Sequence, residues 1–234
     1  MTPASVLPRI ASGVRVHGWR LWTLLAGVLA PLYVLGVLAE EVAEQEDLCF
    51  DRPILLFLHD HATPLWDQIM PIVTLLGSRW SMLVVDALIL LVLLGRRRWA
   101  SALFWTLATA GAGLIELAIK HAFGRVRPGL WPSIAPETTF SFPSGHALGS
   151  AAFVVALSVF AWRTRWRWPV VAAGGLFVAA VGLSRLYLGV HYPSDVLASW
   201  MLALAWVLGL GLVFQGRMTR SDLGFVLRQD PQGQ

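Results

Sequence analysis

Charge is scarce in this chain. Only 14% of its 234 residues are Asp, Glu, Lys or Arg, against about 25% in an ordinary soluble domain. Together with 56% hydrophobic residues and a mean hydropathy of +0.64, that deficit excludes a water-soluble globule and places the chain in a bilayer. Cysteine is nearly absent: Cys49 stands alone, so no intrachain disulfide and no Cys/His zinc spacing can form. There is no 20–50-residue repeat of the kind that marks a solenoid. No Pro/Gly/Ser-rich linker divides the chain either, so residues 1–234 are expected to form one domain.

What is present is a series of long apolar runs. Crossing roughly 30 Å of hydrocarbon takes about 20 apolar residues in a helix, with about 17–25 tolerated. Leu21–Ala39, Trp99–Ile119, Gly145–Trp162, Trp168–Ser184 and Val196–Phe214 meet or approach that length, and Trp80–Gly95 is slightly short and contains Asp86. Leu65–Gly77, with 13 residues including Asp67 and Pro71, is too short to cross. It is predicted to be an interfacial helix, with Ile54–Leu58 as its lead-in. The first apolar run is longer than the usual signal-peptide core of about 7–15 residues, so it is expected to remain as a span.

Arginine placement tests the count. Twelve of the 18 Lys+Arg residues fall in four clusters: Arg9, Arg15 and Arg20; Arg96–Arg98; Arg163, Arg165 and Arg167; and Arg217, Arg220 and Arg228. Six crossings put all four on one side, which the positive-inside rule makes cytoplasmic. Counting Leu65–Gly77 as a span would split them. Glu40, Glu41, Glu44, Glu46, Asp47 and Asp51 lie on the other side, and Trp19, Trp22, Trp99, Trp162, Trp166 and Trp168 near the cytoplasmic interface. The predicted fold is therefore an all-α bundle of six transmembrane helices with an extra interfacial helix outside and both termini in the cytoplasm. The net charge of +4 is a topology signal, not a nucleic-acid footprint.

Six cations remain outside the clusters: Arg52, Arg79, Lys120, Arg125, Arg127 and Arg185. Lys120, Arg127 and Arg185 sit at or just beyond outer span ends, as do His146 and His191. The chain runs inward from His146, turns at the arginine cluster and returns to Arg185, so Lys120–Pro128, Pro143–His146 and Ser184–Asp195 can meet at one membrane surface. Pro143-Ser144 and Tyr192-Pro193-Ser194-Asp195 each resemble a helix start, with Ser144 able to cap and Asp195 in the first turn. Helix N-termini attract anions. With three cations added, the pocket suits a dianion with several acceptor oxygens, such as phosphate.

Three motifs occur in order: Lys120 to Arg127-Pro128 as K-x6-R-P, Pro143-Ser144-Gly145-His146 as P-S-G-H, and Ser184-Arg185 through His191 to Asp195 as S-R-x5-H-x3-D. Together they resemble the signature of the type 2 phosphatidic acid phosphatase superfamily, which includes lipid phosphate phosphatases and bacterial undecaprenyl pyrophosphate phosphatases. The resemblance implies a phosphohydrolase of an integral, bacterial inner-membrane kind that needs no metal or other cofactor. Its partners would be the bilayer and a lipid phosphate such as undecaprenyl pyrophosphate, phosphatidic acid or phosphatidylglycerol phosphate. By the same resemblance, His191 is the nucleophile that becomes a phosphohistidine, Asp195 fixes its tautomer, and His146 is the general acid and base. Lys120, Arg127, Arg185, Ser144 and the Gly145 N–H bind phosphate. A lipid phosphotransferase and a non-catalytic phospholipid binder or transporter are the alternatives.

Other polar residues have blander expectations. Arg125 is expected to be a solvated loop residue, His59-Asp60-His61 an interfacial turn, and His121 has no assigned role. Asp86 and Glu116 lie within spans, where ionisable groups are functional candidates. Glu116, four residues before Lys120 and about 6 Å inward, can either pair with and orient it or serve bundle packing alone.

Overall fold

The computed structural model describes residue 18, residues 20–44 and residues 48–218. Arg9, Arg15, Trp19, Glu46, Asp47, Arg220, Arg228 and the tail Ser221–Gln234 lie outside the described residues. Among those described there is no strand, in line with the all-α bundle expected from the apolar runs. Helix α1, Arg20–Ala43, contains a π-helical turn at Leu25–Leu29. It is followed by α2 (Asp51–Asp60), α3 (Pro64–Leu76), α4 (Arg79–Gly95), α5 (Trp99–Phe123), α6 (Gly145–Ala161), α7 (Arg167–Tyr187) and α8 (Pro193–Phe214).

By length and composition, five helical stretches can cross a membrane, with α3 and α4 forming one stretch over Pro64–Gly95; α6, with 17 residues, is a shorter apolar helix. The chain is an integral membrane protein on this pattern. The observed helices run a turn beyond several predicted spans. Lys120 and Arg185 thus sit inside the last turns of α5 and α7 rather than past them.

Helix ends follow local chemistry. Thr63 caps α3 by accepting the Trp66 N–H at 3.3 Å, with Pro64 as its first residue. Ser78 likewise accepts the Ser81 N–H at 3.3 Å and starts α4. The expected lead-in Ile54–Leu58 instead belongs to a separate helix, α2, because His61–Thr63 breaks the chain before α3. At the end of α5, Gly124 takes a left-handed φ of 59°, a conformation cheap only for glycine. It turns the chain into the long 124–144 loop.

Helix α6 packs against α5, α7 and α8, while α1 lies on α8. The α6 face is lined by Ala147, Ala151, Ala152 and Ala156, all buried; small residues let helix backbones approach where lipid supplies no hydrophobic drive. At the end remote from Lys120 and His146, Trp105 stacks on Phe160 (5.7 Å between centroids), and Phe104 meets Phe160 and Phe214. Outward faces carry exposed Leu114, Leu176 and Trp80, the inverse of a soluble protein. The tryptophans Trp22, Trp99, Trp162, Trp166 and Trp168 are all exposed.

Candidate active site

The C-terminal ends of α5 and α7 and the N-terminal ends of α6 and α8, roofed by the 124–144 loop, bring the three motifs together. His191 follows α7 by a short turn in which Gly189 has φ +66°. There a Cβ would collide with the Trp131 ring at 2.6 Å, so only glycine lets the chain pass beneath Trp131. The His191 side chain is almost wholly buried.

His191 is held from both ring nitrogens. Arg127 Nη1 lies 3.1 Å from Nε2. A guanidinium can only donate, so Nε2 is an acceptor and the ring proton of neutral His191 is on Nδ1. That nitrogen faces Asp195 Oδ2 and Ser141 Oγ, each at 3.4 Å. Burial pushes the His191 pKa down from 6.5 to about 3; the Asp195 carboxylate opposes this, while Arg185 and Arg127 reinforce it. At neutral pH the imidazole is uncharged, with a lone pair on Nε2.

Asp195 is itself fully buried. Its Oδ2 accepts from Ser141 Oγ at 2.6 Å and from the Tyr192 N–H at 2.9 Å, and its Oδ1 accepts from Arg125 Nη1 at 2.6 Å. Its expected place in the first turn of α8 holds, with Pro193 opening the helix.

Arg125 departs from expectation. Far from being solvated, its side chain is 9% exposed and lies 4.0 Å over the Tyr192 ring. Besides Asp195 it donates to Ser194 Oγ at 2.8 Å and to Asp51 Oδ2 at 2.9 Å. Burial works against its charge, but Asp195 and Asp51 more than offset that and raise its pKa above the ordinary arginine value.

The remaining cations take backbone and side-chain partners. Lys120 Nζ donates to the Phe140 carbonyl at 2.7 Å and lies 3.6 Å from Glu116 Oε1, the pairing expected from their i,i+4 spacing. Arg79 approaches the same Glu116 oxygen at 3.5 Å. Arg127 donates through Nε to the Thr139 carbonyl at 2.7 Å and through Nη1 to the Val190 carbonyl at 2.5 Å. Arg185 donates to Thr74 Oγ1 and to Glu137 Oε1, both at 2.6 Å. His146 Nδ1 lies 4.0 Å from that Glu137 oxygen. Burial works against the Glu137 carboxylate, but Arg185 overrides it and holds the group below the usual carboxylate range.

Ser144 occupies the N-cap position of α6, yet its hydroxyl caps nothing. Contrary to the expected cap, Ser144 Oγ is buried without a hydrogen-bond partner, and so is Arg185 Nε. Two unpartnered buried donors in one polar cluster are costly unless a ligand's acceptors meet them. Gly145 has a further reason to be glycine: a Cβ there would run into the Glu116 carboxylate, with Cδ at 2.8 Å.

Asp51, Thr74, Glu137, Ser141 and Thr139 were not legible as site residues. Asp51 looked like one of several outer acidic residues, and Thr74, Ser141 and Thr139 carried no motif. Of the expected turn His59-Asp60-His61, the first two residues instead end helix α2 and only His61 turns the chain; His59 stacks on Trp131 at 4.2 Å and His61 Nδ1 meets the Phe57 carbonyl at 2.8 Å. Among the described residues, no group of three His, Cys, Asp or Glu side chains could hold a metal ion.

Comparison with known proteins places this arrangement. The family model of the PAP2 superfamily matches residues 99–219, which include all three motifs but not Asp51 or Thr74. Phosphatidylglycerophosphatase B of Bacillus subtilis is 30% identical over 146 residues, covering 60% of this chain and 71% of its own. An undecaprenyl-diphosphatase of Sulfolobus acidocaldarius is 24% identical, covering 80% and 86%. Among solved structures, a transmembrane PAP2-type phosphatidylglycerolphosphate phosphatase from Bacillus subtilis superposes with a TM-score of 0.69 at 25% identity, covering 81% of this chain and 98% of that one. The fold of Aquifex aeolicus LpxE is also similar, with a TM-score of 0.59 at 20% identity, covering 73% and 98%. With more than half of its length matched and its motifs gathered at one bundle end, the chain belongs to the PAP2 superfamily.

Proposed function

We propose that the chain is a lipid phosphatase that hydrolyses the terminal phosphate of a membrane lipid through a phosphohistidine on His191. One observation carries this above the others. Arg127 identifies Nε2 as the lone-pair nitrogen of His191, while Asp195 and Ser141 face the protonated Nδ1. That is the tautomer an in-line attack on phosphorus requires. A pocket that only bound phosphate would need no oriented, uncharged imidazole.

In the first step, Nε2 forms a bond to phosphorus as the bond to the lipid oxygen breaks. His146, acting as the imidazolium, gives one proton to the departing oxygen and becomes neutral, while Asp195 stabilises the positive His191 ring. Water then attacks phosphorus, His146 takes a proton from it, the P–N bond breaks, and inorganic phosphate leaves with His191 neutral again. Arg127, Lys120, Arg185, Ser144 Oγ and the Gly145 N–H hold the non-bridging oxygens. The two unpartnered donors, Ser144 Oγ and Arg185 Nε, support that assignment. Glu116 orients Lys120.

The chain crosses the membrane six times, with α3 at the outer interface, the termini in the cytoplasm and the site outside, in keeping with the arginine clusters. The names of the relatives favour phosphatidylglycerol phosphate or undecaprenyl pyrophosphate as substrate, with phosphatidic acid a third candidate.

Phosphate release by purified protein from these lipids, in the presence of EDTA, tests the proposal. Wild type is expected to release phosphate and His191→Ala to release none above background. An active His191→Ala, or a wild type inactive on all three lipids, would sink it. Phosphate passed to an added lipid alcohol instead of water would show a phosphotransferase.

A further inference from the structure

From the network around Asp195 we infer that Arg125 and Asp51 are positioning residues for the nucleophile, setting the orientation of the carboxylate that faces His191. Resting on the phosphohistidine chemistry proposed above, this role draws α2, which precedes the PAP2-matched residues, into the working of the site.

The geometry is a closed relay. Asp51 is fully buried at the start of α2. Its Oδ1 accepts the Ser194 N–H at 2.9 Å, and its Oδ2 accepts Ser194 Oγ at 2.6 Å and Arg125 Nη2 at 2.9 Å. A carboxylate from a distant segment thereby meets the exposed N–H end of α8, where the helix dipole favours negative charge. Arg125 passes the constraint on: Nη1 reaches Asp195 Oδ1 at 2.6 Å. Ser141 and the Tyr192 N–H hold Oδ2, so the carboxylate plane is gripped from both oxygens. The Ser141 N–H donates to the Arg125 carbonyl at 2.8 Å, so the backbone of Arg125 also places Ser141.

Charge follows the same lines. Asp51 and Asp195 contribute two negative charges and Arg125 one positive charge, leaving one carboxylate charge uncompensated while His191 is neutral. The ring becomes positive as it bonds to phosphorus, and that remaining charge then has its partner. Without Arg125, two buried carboxylates would share α8's first turn unscreened, a costly arrangement. Asp195 would then be free to rotate away from Nδ1. Arg125 directs three of its five N–H donors, both on Nη1 and one on Nη2, to Ser194, Asp195 and Asp51. Its effect therefore reaches the reaction through Asp195.

A double-mutant cycle tests this. Arg125→Gln is expected to lower kcat about 10–100-fold, the usual range for partners that orient a histidine's carboxylate or ligand, with KM within about threefold. In an Asp195→Asn background the same substitution should cost less than about threefold, because the carboxylate it positions is gone. Equal losses in both backgrounds, or a wild-type kcat for Arg125→Gln, would overturn the inference. Should Arg125→Gln not accumulate in the membrane, Asp51→Asn, which leaves the guanidinium in place, goes through the same cycle. It is expected to show a smaller loss that also vanishes beside Asp195→Asn; a loss that persists there overturns the inference. Failure of the phosphohistidine chemistry itself would show separately, as an active His191→Ala.

Discussion

The two ends of the helix bundle are built from different interactions. The end around Trp105, Phe104 and Phe160 is aromatic packing between buried apolar rings. The end that carries the motifs is a mesh of short charged hydrogen bonds in which Asp195, Arg125, Asp51, Arg127 and His191 each meet several partners. Apolar packing tolerates small shifts at modest cost. A buried ionic mesh does not, since any broken link leaves a buried charge unpaired. On the proposed function, persistence of fold is thus assigned to one end and chemistry to the other.

That division can be broken by substitution. His191→Ala should have the largest effect, a fall in phosphate release per folded molecule of about a thousandfold or more. Near wild-type release per folded molecule would show that the two ends are not separable. Gly145→Ala should follow, at about a hundredfold, because the added methyl displaces Glu116 and shifts the phosphate-binding turn by a fraction of an ångström to an ångström. Recovery in the double variant Gly145→Ala/Glu116→Ala to the level of Glu116→Ala alone would show that the collision, not the glycine's backbone freedom, is the cause.

At the other end, Trp105→Ala should cost about 3 kcal/mol of stability, the low side of the range for large-to-small changes in a packed core. Its kcat per folded molecule should stay within about twofold. A selective loss of kcat would tie the aromatic cluster to the site.

His191 supplies a pH test that sharpens the contrast. Its pKa is pushed below the unfolded value of 6.5 to about 3. Between those values the unfolded chain takes up a proton that the folded chain refuses, so this residue's contribution to stability falls as pH drops from 6.5 toward 3. The nitrogen-15 shifts of His191 should report a neutral ring protonated on Nδ1 at pH 5; an imidazolium there would contradict the burial argument. The smallest effect is expected for Arg79→Gln. Although Arg79 lies 3.5 Å from Glu116, its side chain is 64% exposed, and such pairs contribute about 0–1 kcal/mol. Activity measured at low and high salt should barely distinguish it from wild type.

Much of this molecule could be read before folding was considered. The apolar runs located the helices because a bilayer imposes length and composition on any segment that crosses it. The motif residues Lys120, Arg127, His146, Arg185, His191 and Asp195 could be grouped in advance because they stand in three motifs that resemble a known signature and fall at the ends of apolar runs. Glu116 and Lys120 could be paired because i,i+4 spacing is a local property of a helix. Helix boundaries were less accurate, since polar residues such as Lys120 and Arg185 continue a helix when tertiary partners satisfy them.

Tertiary structure alone decided the surroundings of Asp195. Nothing local distinguishes Asp51 from the acidic residues near it, or Arg125 from a solvated loop arginine. Their roles arise from contact across some 70 residues of chain, between positions 51, 125 and 195. Likewise, Ser144 has the sequence of a helix cap, but burial beside the cations leaves its hydroxyl pointing at no backbone group. Sequence specifies which groups the chain owns and which neighbours along a helix they meet. Which charge finds which partner is settled only when the α2 start, the 124–144 loop and the α8 start are folded into one buried corner, where the oxygens of Asp51 and Asp195 must find donors.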